Sequence, residues 1–196
     1  MASDERSTPD EPVQLRDARA IRALAHPARL AVLDALTGRK TITATEAAEV
    51  AGLSPSAMSY HLRALAKWGI VREADAAADG RERRWERAGA GLNVDPPAHG
   101  ADAALAFIAT HYFDQTRVQL ARWLDQQAGE PEFWRENSVL SYRETWLTEE
   151  QVLEVRRIAD TLADQGGAPR DNPPPGARRV RMAFMLFPID STPPQG

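Results

Sequence analysis

Polar side chains suited to contacting a charged polymer recur along residues 55–67. The set is Ser56, Ser59, Tyr60, Arg63 and Lys67. Short hydroxyl groups can approach base edges closely, and a guanidinium group can pair with a guanine edge or bind a phosphate. Because residues 55–67 contain no Asp or Glu, the pattern is typical of a surface that contacts nucleic acid.

Two helices are predicted to position these side chains. Thr43 and Glu46 have the spacing of a capping box, which starts a helix that ends near Gly52. Ser54 is a favourable N-cap, and Pro55 is a favourable first residue for the second helix. The three-residue turn between the helices is short, so both must pack against each other.

Helices over 45–51 and 55–67 joined by such a turn have the geometry of a helix-turn-helix. We expect an inner face made of Leu53, Met58, Leu62 and Leu65. We predict DNA contacts from the outer residues together with Ser54 and His61. For His61 two interpretations stay open, because the helical spacing turns it partly inward: it either supports the helix or contacts a phosphate.

A β-hairpin is predicted next, from residues 70–73 and 83–87. The Asp79-Gly80 pair between them favours a turn with positive φ. Basic side chains near the hairpin tip suit the DNA backbone or the minor groove, and these are Arg81, Arg83 and Arg84. Acidic residues alternate with them, so an ordinary solvated hairpin is the alternative.

Residues 16–90 resemble the ArsR-like family of winged-helix transcriptional regulators. The first similar motif is Leu24-Ala-His-Pro-Ala-Arg-Leu30, and the second is Leu53-Ser-Pro-Ser-Ala-Met-Ser-Tyr-His-Leu62, followed by Gly69-Ile-Val71. A weaker match is Gly80-Arg-Glu-Arg-Arg-Trp85, in the position of the wing. The resemblance implies a homodimer that binds a palindromic double-stranded DNA operator, usually as a repressor released by an effector.

The metal sites of that family are not reproduced in this sequence. Many members of that family carry a Cys-x-Cys pair in the first helix of the helix-turn-helix, and here that helix contains Ala47-Ala-Glu-Val-Ala51 in a chain without cysteine. On the later long helix, His111 and Asp114 share a face, but His99 is one residue out of register with the family pattern. We therefore expect no metal and no cofactor, and interpret His111 as part of a structural pair.

The rest of the chain predicts a long helix and a small added module. The long helix, over 101–127, carries the aromatic residues Phe107, Tyr112, Phe113 and Trp123. These could form a dimer core or line a pocket for a small organic effector. A strand-helix-strand module is predicted from 139–147, 148–165 and 180–189, and it either binds an effector or enlarges a dimer interface.

The predicted fold is mainly α with a small β component: a winged helix-turn-helix, a long dimerisation helix and the strand-helix-strand module. We divide the chain into a disordered tail (1–14), a DNA-binding domain (15–90), a linker (91–100), a C-terminal dimerisation region that is also the candidate effector site (101–189), and a second tail (190–196).

Composition and charge narrow the functional classes. The chain has 196 residues and a net charge of -4, yet residues 16–87 carry 13 basic and nine acidic residues. Catalytic signatures such as a Gly-rich phosphate loop or G-x-S-x-G are absent from the sequence, so we expect no enzyme. We expect a cytoplasmic protein without a membrane segment. A winged-helix module that binds proteins and no DNA is the alternative function.

Overall fold

The structure is a computed structural model that describes residues 12–74, 82–89, 91–94, 100–164 and 174–189. Its helices are α1 (Ala18–Leu24), α2 (Pro27–Gly38), α3 (Ala44–Ala51), α4 (Pro55–Lys67), α5 (Asp102–Gln126), α6 (Glu132–Glu136) and α7 (Glu149–Asp164), with a 3₁₀ turn at Gln127–Gly129. Its strands are β1 (Val13–Leu15), β2 (Ile42–Thr43), β3 (Val71–Glu73), β4 (Arg84–Arg87) and β5 (Leu92–Val94). The predicted fold class, mainly α with a small β component, is confirmed.

The chain divides into two compact units, and the first comprises residues 1–115 and 168–174. Its core is built by apolar residues at helical spacing on α1 to α4. The largest fully buried side chains include Ile21, Leu24, Leu30, Leu33, Leu36, Met58, Leu62 and Leu65. Each buried Leu or Ile stabilises the fold by roughly 1.5–3 kcal/mol relative to an exposed one. This core fixes α3 and α4 relative to α1 and α2.

Side-chain caps mark the starts of α1 and α2. The Asp17 carboxylate accepts a hydrogen bond from the Arg19 N–H at 2.7 Å and caps α1. At α2, His26 Nδ1 accepts from the Ala28 N–H at 3.1 Å, and Pro27 is the first helical residue. Each interaction satisfies an amide that would otherwise lack a helical partner.

A three-stranded antiparallel sheet in the order β2-β4-β3 forms the wing. Ile42 pairs with Trp85, and Val71 pairs with Arg87. Trp85 is buried, so the sheet packs on the helical core. The predicted hairpin is confirmed in β3 and β4, whereas its tip, including Arg81, lies outside the described residues.

Two predicted irregular segments contain strands instead. β1 begins inside the predicted tail 1–14 and ends one residue after it, and β5 lies inside the predicted linker 91–100. The two strands pair in parallel, Val13 with Leu92 and Leu15 with Val94. The tail and linker predictions are wrong at these residues. Val13 and Leu15 are buried, because alternation in Val-Gln-Leu places both on the core side. Residues 1–11 and 95–99 lie outside the described residues.

The second unit comprises residues 116–167 and 175–196. The predicted helix over 148–165 is confirmed as α7, and its capping box joins the Gln151 N–H to Thr148 Oγ1 at 3.3 Å. The predicted strands 139–147 and 180–189 are wrong for the single chain, since neither described segment forms a strand. Side-chain alternation alone does not make a strand, which needs a hydrogen-bonded neighbour. The predicted tail 190–196 lies outside the described part.

None of the helices in the described ranges is long and apolar enough to span a membrane.

Candidate nucleic-acid interface

The turn between α3 and α4 is held by backbone and capping hydrogen bonds. Gly52 adopts φ 65°, a left-handed conformation that favours glycine, and the Leu53 N–H bonds to the Ala48 carbonyl at 2.9 Å. Ser54 Oγ accepts from the Ala57 N–H at 3.2 Å and caps α4. The angle between the two helices is thereby fixed by local sequence.

The inner face of α4 is confirmed at three of its four predicted residues. Met58, Leu62 and Leu65 are completely buried, whereas Leu53 is 38% exposed. The prediction for Leu53 is wrong because this residue belongs to the turn and points away from the core that α4 contacts. Three apolar anchors over two helical turns are sufficient to hold the opposite face toward solvent.

The outer face of α4 presents one continuous polar stripe. Ser56, Tyr60, Arg63 and Lys67 are all exposed, Tyr60 to 61%. Their spacing of four, three and four residues places them on one side of a helix. Within the described residues, no carboxylate forms an ion pair with Arg63 or Lys67. The stripe, defined as these four residues, is therefore cationic.

Ser59 lies beside the stripe and is partly exposed. Its hydroxyl donates to the Pro55 carbonyl at 2.9 Å, which orients the oxygen while leaving its lone pairs free to accept a further hydrogen bond. Ser54 is committed to the N-cap through the same kind of local bond. The structure thus gives Ser54 a capping position at the N-terminal end of α4.

His61 faces the start of α2, and the ring of Tyr60 lies edge-on to it with the centroids 5.5 Å apart. Its ring centroid lies 4.5 Å from that of His26, and its buried Nδ1 has no hydrogen-bond partner among the described residues. Burial first, and then the neighbouring His26 and Arg29, lower the pKa of His61. Of the two interpretations, this placement favours support of the helix over phosphate contact.

The two described wing arginines have different surroundings. Arg83 is 60% exposed and forms an ion pair with Glu73 at 2.9 Å on the solvent side of the hairpin. Arg84 is partly buried: its Nε donates to Thr41 Oγ1 at 2.8 Å, and its Nη2 lies 3.3 Å from Glu46 Oε2. Arg83 is positioned to reach a ligand, whereas Arg84 connects the wing to α3.

Glu46 joins the capping box to the wing. Its carboxylate accepts from the Thr43 N–H at 2.7 Å while contacting Arg84. The backbone hydrogen bond from Thr43 and the charge of Arg84 together lower the pKa of Glu46. Nearby, Thr45 Oγ1 donates to Glu82 at 2.9 Å. The wing base is therefore attached to the first helix of the pair.

Sequence reasoning missed this attachment of the wing. The capping box was visible in the sequence, but the partners of Arg84 were not, because residues 41, 46 and 84 are brought together only when β2 pairs with β4. The pairing Thr43 with Arg84 across those strands is the contact that places Arg84 beside Glu46.

On α5, His111 has a partner that the sequence spacing did not indicate. His111 Nε2 lies 2.8 Å from Asp34 Oδ2 on α2. His111 therefore belongs to a structural pair, as the sequence predicts. The carboxylate of that pair comes from Asp34 on α2, where the sequence spacing had indicated Asp114. Among the described residues, no group of three or more His, Cys, Asp or Glu side chains could hold a metal ion.

Comparison with known proteins gives a domain match and distant structural likenesses. Residues 24–74 match the helix-turn-helix domain family described as "Helix-turn-helix domain". No curated protein matches the chain. The match covers α2 to β3 and does not test the ArsR-like subfamily, which stays a prediction.

Solved structures similar to this chain include the following three proteins. A transcriptional regulator homologue from Pyrococcus horikoshii is 23% identical, covering 49% of this chain and 87% of its own, with a TM-score of 0.32. The adhesin competence repressor AdcR from Streptococcus pyogenes is 15% identical, with coverages of 73% and 83% and a TM-score of 0.33. Lactococcus lactis ZitR in complex with DNA is 16% identical and covers 71% of this chain and 73% of its own, with a TM-score of 0.29. Scores this low support no conclusion about the partners of this chain.

The domain match agrees with the geometry of α3, the Gly52 turn and α4. It supports a DNA-binding regulator, and the sheet of the matched residues 24–74 continues into the wing strand β4.

Proposed function

We propose that this protein is a sequence-specific transcriptional regulator that binds a palindromic DNA operator as a homodimer. The observation that carries the proposal is the outward stripe of α4, which is exposed, cationic and free of carboxylates. Helix α4 has 13 residues and is about 20 Å long at 1.5 Å per residue, a length that fits the major groove.

Within α4, the residues divide into two proposed roles. Ser56, Ser59 and Tyr60 lie in the first half of the helix, the part that contacts base edges in helix-turn-helix proteins. Arg63 follows one turn later, where a guanidinium can pair with guanine. Lys67, in the last turn, is suited to a phosphate because an ammonium group acts as a mobile point charge.

The wing supplies a second proposed contact. Arg83, and Arg81 outside the described residues, are proposed to bind backbone phosphates or the minor groove beside α4. Arg84 is proposed to act indirectly, since its guanidinium is already bonded to Thr41 and Glu46. Ser54 and His61 are likewise proposed to position α4 from its N-cap and from its contact with His26.

Repression and release by an effector form the finer part of the proposal. The resemblance to ArsR-like regulators supports repression. The aromatic residues of α5 support an organic effector, since Phe107 and Phe113 are 41% and 50% exposed. A tenfold loss of operator affinity requires about 1.4 kcal/mol of preference for the weakly binding state.

Selection from randomised duplexes, followed by gel shifts, tests this function. Wild-type protein should enrich an inverted repeat with half-sites about one helical turn apart. Arg63→Ala should weaken binding by about 1–3 kcal/mol and relax the preference at one base pair. Arg19→Ala removes the same charge from α1 and should leave the preference intact.

Binding without any sequence preference at all salt concentrations would contradict the proposal. A lack of any DNA binding would favour the alternative, a winged-helix module that binds proteins and no DNA. Equal losses in Arg63→Ala and Arg19→Ala would likewise argue that α4 contributes only general positive charge.

A further inference from the structure

The second unit leaves most of its apolar side chains in solvent. In the described residues 116–162 and 175–189, no residue is buried. Leu140, Tyr142 and Trp146 are 77%, 85% and 71% exposed, and Phe184 and Phe187 are 58% and 65% exposed. A unit that has helices and apolar residues but no buried core is incomplete as a single copy.

The segment 180–187 is apolar on both of its faces. In a strand, Val180, Met182, Phe184 and Leu186 would lie on one side, and Ala183, Met185 and Phe187 on the other. Each large side chain of the set is at least 40% exposed. Strands that are apolar on both faces occur where both faces of a sheet are covered. This segment therefore requires partners on its two faces and along its edges.

Helix α7 has a matching unpartnered face. Val152, Ile158 and Leu162 lie on one side of the helix and are 37–54% exposed. Four charged side chains of α7 are paired along the helix, Arg157 with Glu154 at 2.5 Å and Arg156 with Asp160 at 3.9 Å. An amphipathic helix of this kind is stable when its apolar side packs against another element.

The exposed area is large enough for a stable interface. Tyr142, Trp146, Phe184 and Phe187 have 58–85% of their surface in solvent. At about 150–250 Å² per aromatic side chain, these four alone expose roughly 500 Å². The aliphatic residues of the same segments bring the area near the roughly 800 Å² per partner that a standard interface buries. A monomer's largest apolar patch is usually about 300–600 Å².

Charge favours a second copy as the occupant. The start of the segment is anchored on its own unit, where Arg178 forms a two-point ion pair with Glu130 and stacks over Trp134 at 5.2 Å. Beyond Arg181, residues 182–189 carry no charge. Antiparallel pairing of this stretch with its own copy brings no like charges together, because the arginines lie at opposite ends. A charged partner would gain no ion pair from residues 182–189.

We propose that residues 182–187 of two copies pair as antiparallel strands about a two-fold axis, and that α7 and residues 139–147 cover the resulting sheet. The inference deepens the proposed homodimer by naming the segment that joins the copies. It also explains why the sequence predicts strands that a single chain does not form. The C-terminal unit acquires its core only when the dimer assembles.

Cysteine scanning of the full-length protein tests the pairing directly, since the chain contains no cysteine. Five variants, from Met182→Cys to Leu186→Cys, place one thiol at each position. In an antiparallel pair about a two-fold axis, one residue faces its own copy, close enough for a disulfide. We expect one variant to cross-link rapidly at a rate independent of protein concentration. Val50→Cys, at an exposed site on α3, should cross-link slowly and in proportion to concentration.

Mass measurement by light scattering without DNA provides the second readout. Wild type should be a dimer. The double variant that carries both Phe184→Glu and Phe187→Glu should be a monomer, and Val50→Glu should remain a dimer. A wild-type monomer, a dimer that survives the double substitution, or five cysteine variants that behave like Val50→Cys would each overturn the inference. Because none of these measurements uses DNA, operator binding can fail or succeed independently of them.

Discussion

The two units of this protein use apolar residues in opposite ways. In the first, Met58, Leu62 and Leu65 are completely buried, and the opposite face of α4 is left polar. In the second, α7 is equally well capped and amphipathic, yet Ile158 on its apolar side is 54% exposed. Helix capping and periodicity are therefore local properties that both units have. Burial depends on whether the chain itself supplies a partner.

The largest expected effect is a difference in core truncation between the units. Leu62→Ala should lower the free energy of unfolding by about 2–5 kcal/mol, because it leaves a cavity between α4 and the helices beneath it. Ile158→Ala should change it by less than about 0.5 kcal/mol in dilute protein, where the side chain is about half solvated. Urea denaturation followed by circular dichroism measures both.

Protein concentration sharpens the same comparison. The cost of Ile158→Ala should grow as the protein is concentrated, because the proposed dimer buries this side chain, whereas the cost of Leu62→Ala should stay the same. Equal costs for both substitutions in dilute protein would show that the second unit has a core of its own.

The contrast also explains what could be predicted from the sequence. The boundaries of α3, the Gly52 turn and α4 follow from capping signals and three apolar anchors, all within 25 residues. The polar stripe follows from the helical period of about 3.6 residues per turn. In contrast, β1 was missed because three residues of alternation do not stand out beside a Pro-rich and acidic segment. Its pairing with β5, nearly 80 positions later, has no local signal.

Strand prediction failed in the second unit for a different physical reason. The alternation in 139–147 and the continuous apolar run in 182–187 are typical of strands, but a strand is defined by its neighbour, and the described residues provide none. Arg84 shows the same limit within the site. Its sequence position suggests a wing contact, and only the pairing of β2 with β4 reveals its bonds to Thr41 and Glu46.

A smaller expected effect separates the two described wing arginines. Arg83→Ala should reduce operator affinity for all sequences alike and lower the salt dependence of binding by about one unit, because one phosphate contact is lost. Arg84→Ala should leave the salt slope unchanged but lower thermal stability, since it removes the partner of Thr41 and Glu46. Gel shifts at several salt concentrations and a thermal melt distinguish them. A reduced slope in Arg84→Ala and not in Arg83→Ala would reverse the assigned roles.

The smallest expected effect is a pH dependence of stability that belongs to the first unit. Because burial lowers the pKa of His61 in the folded protein, the unfolded chain binds a proton at this residue first, below a pKa of about 6.5. Acidification through that value should therefore lower the free energy of unfolding until His61 in the folded state also becomes protonated. The groups that face His61 are His26 and Arg29, both of which oppose a second positive charge, and the Tyr60 ring on α4.

Urea midpoints measured from pH 8 to pH 5 in wild type and in His61→Gln test this dependence. Wild type should lose stability below about pH 6.5, and the variant should lose less, because glutamine does not titrate. Protonation of Glu46 adds a loss of stability only at lower pH, since its pKa lies below that of an ordinary carboxylate. If the two proteins declined in parallel between pH 7 and pH 5, His61 would not be the titrating group. The contact between α4 and the start of α2 would then be insensitive to pH.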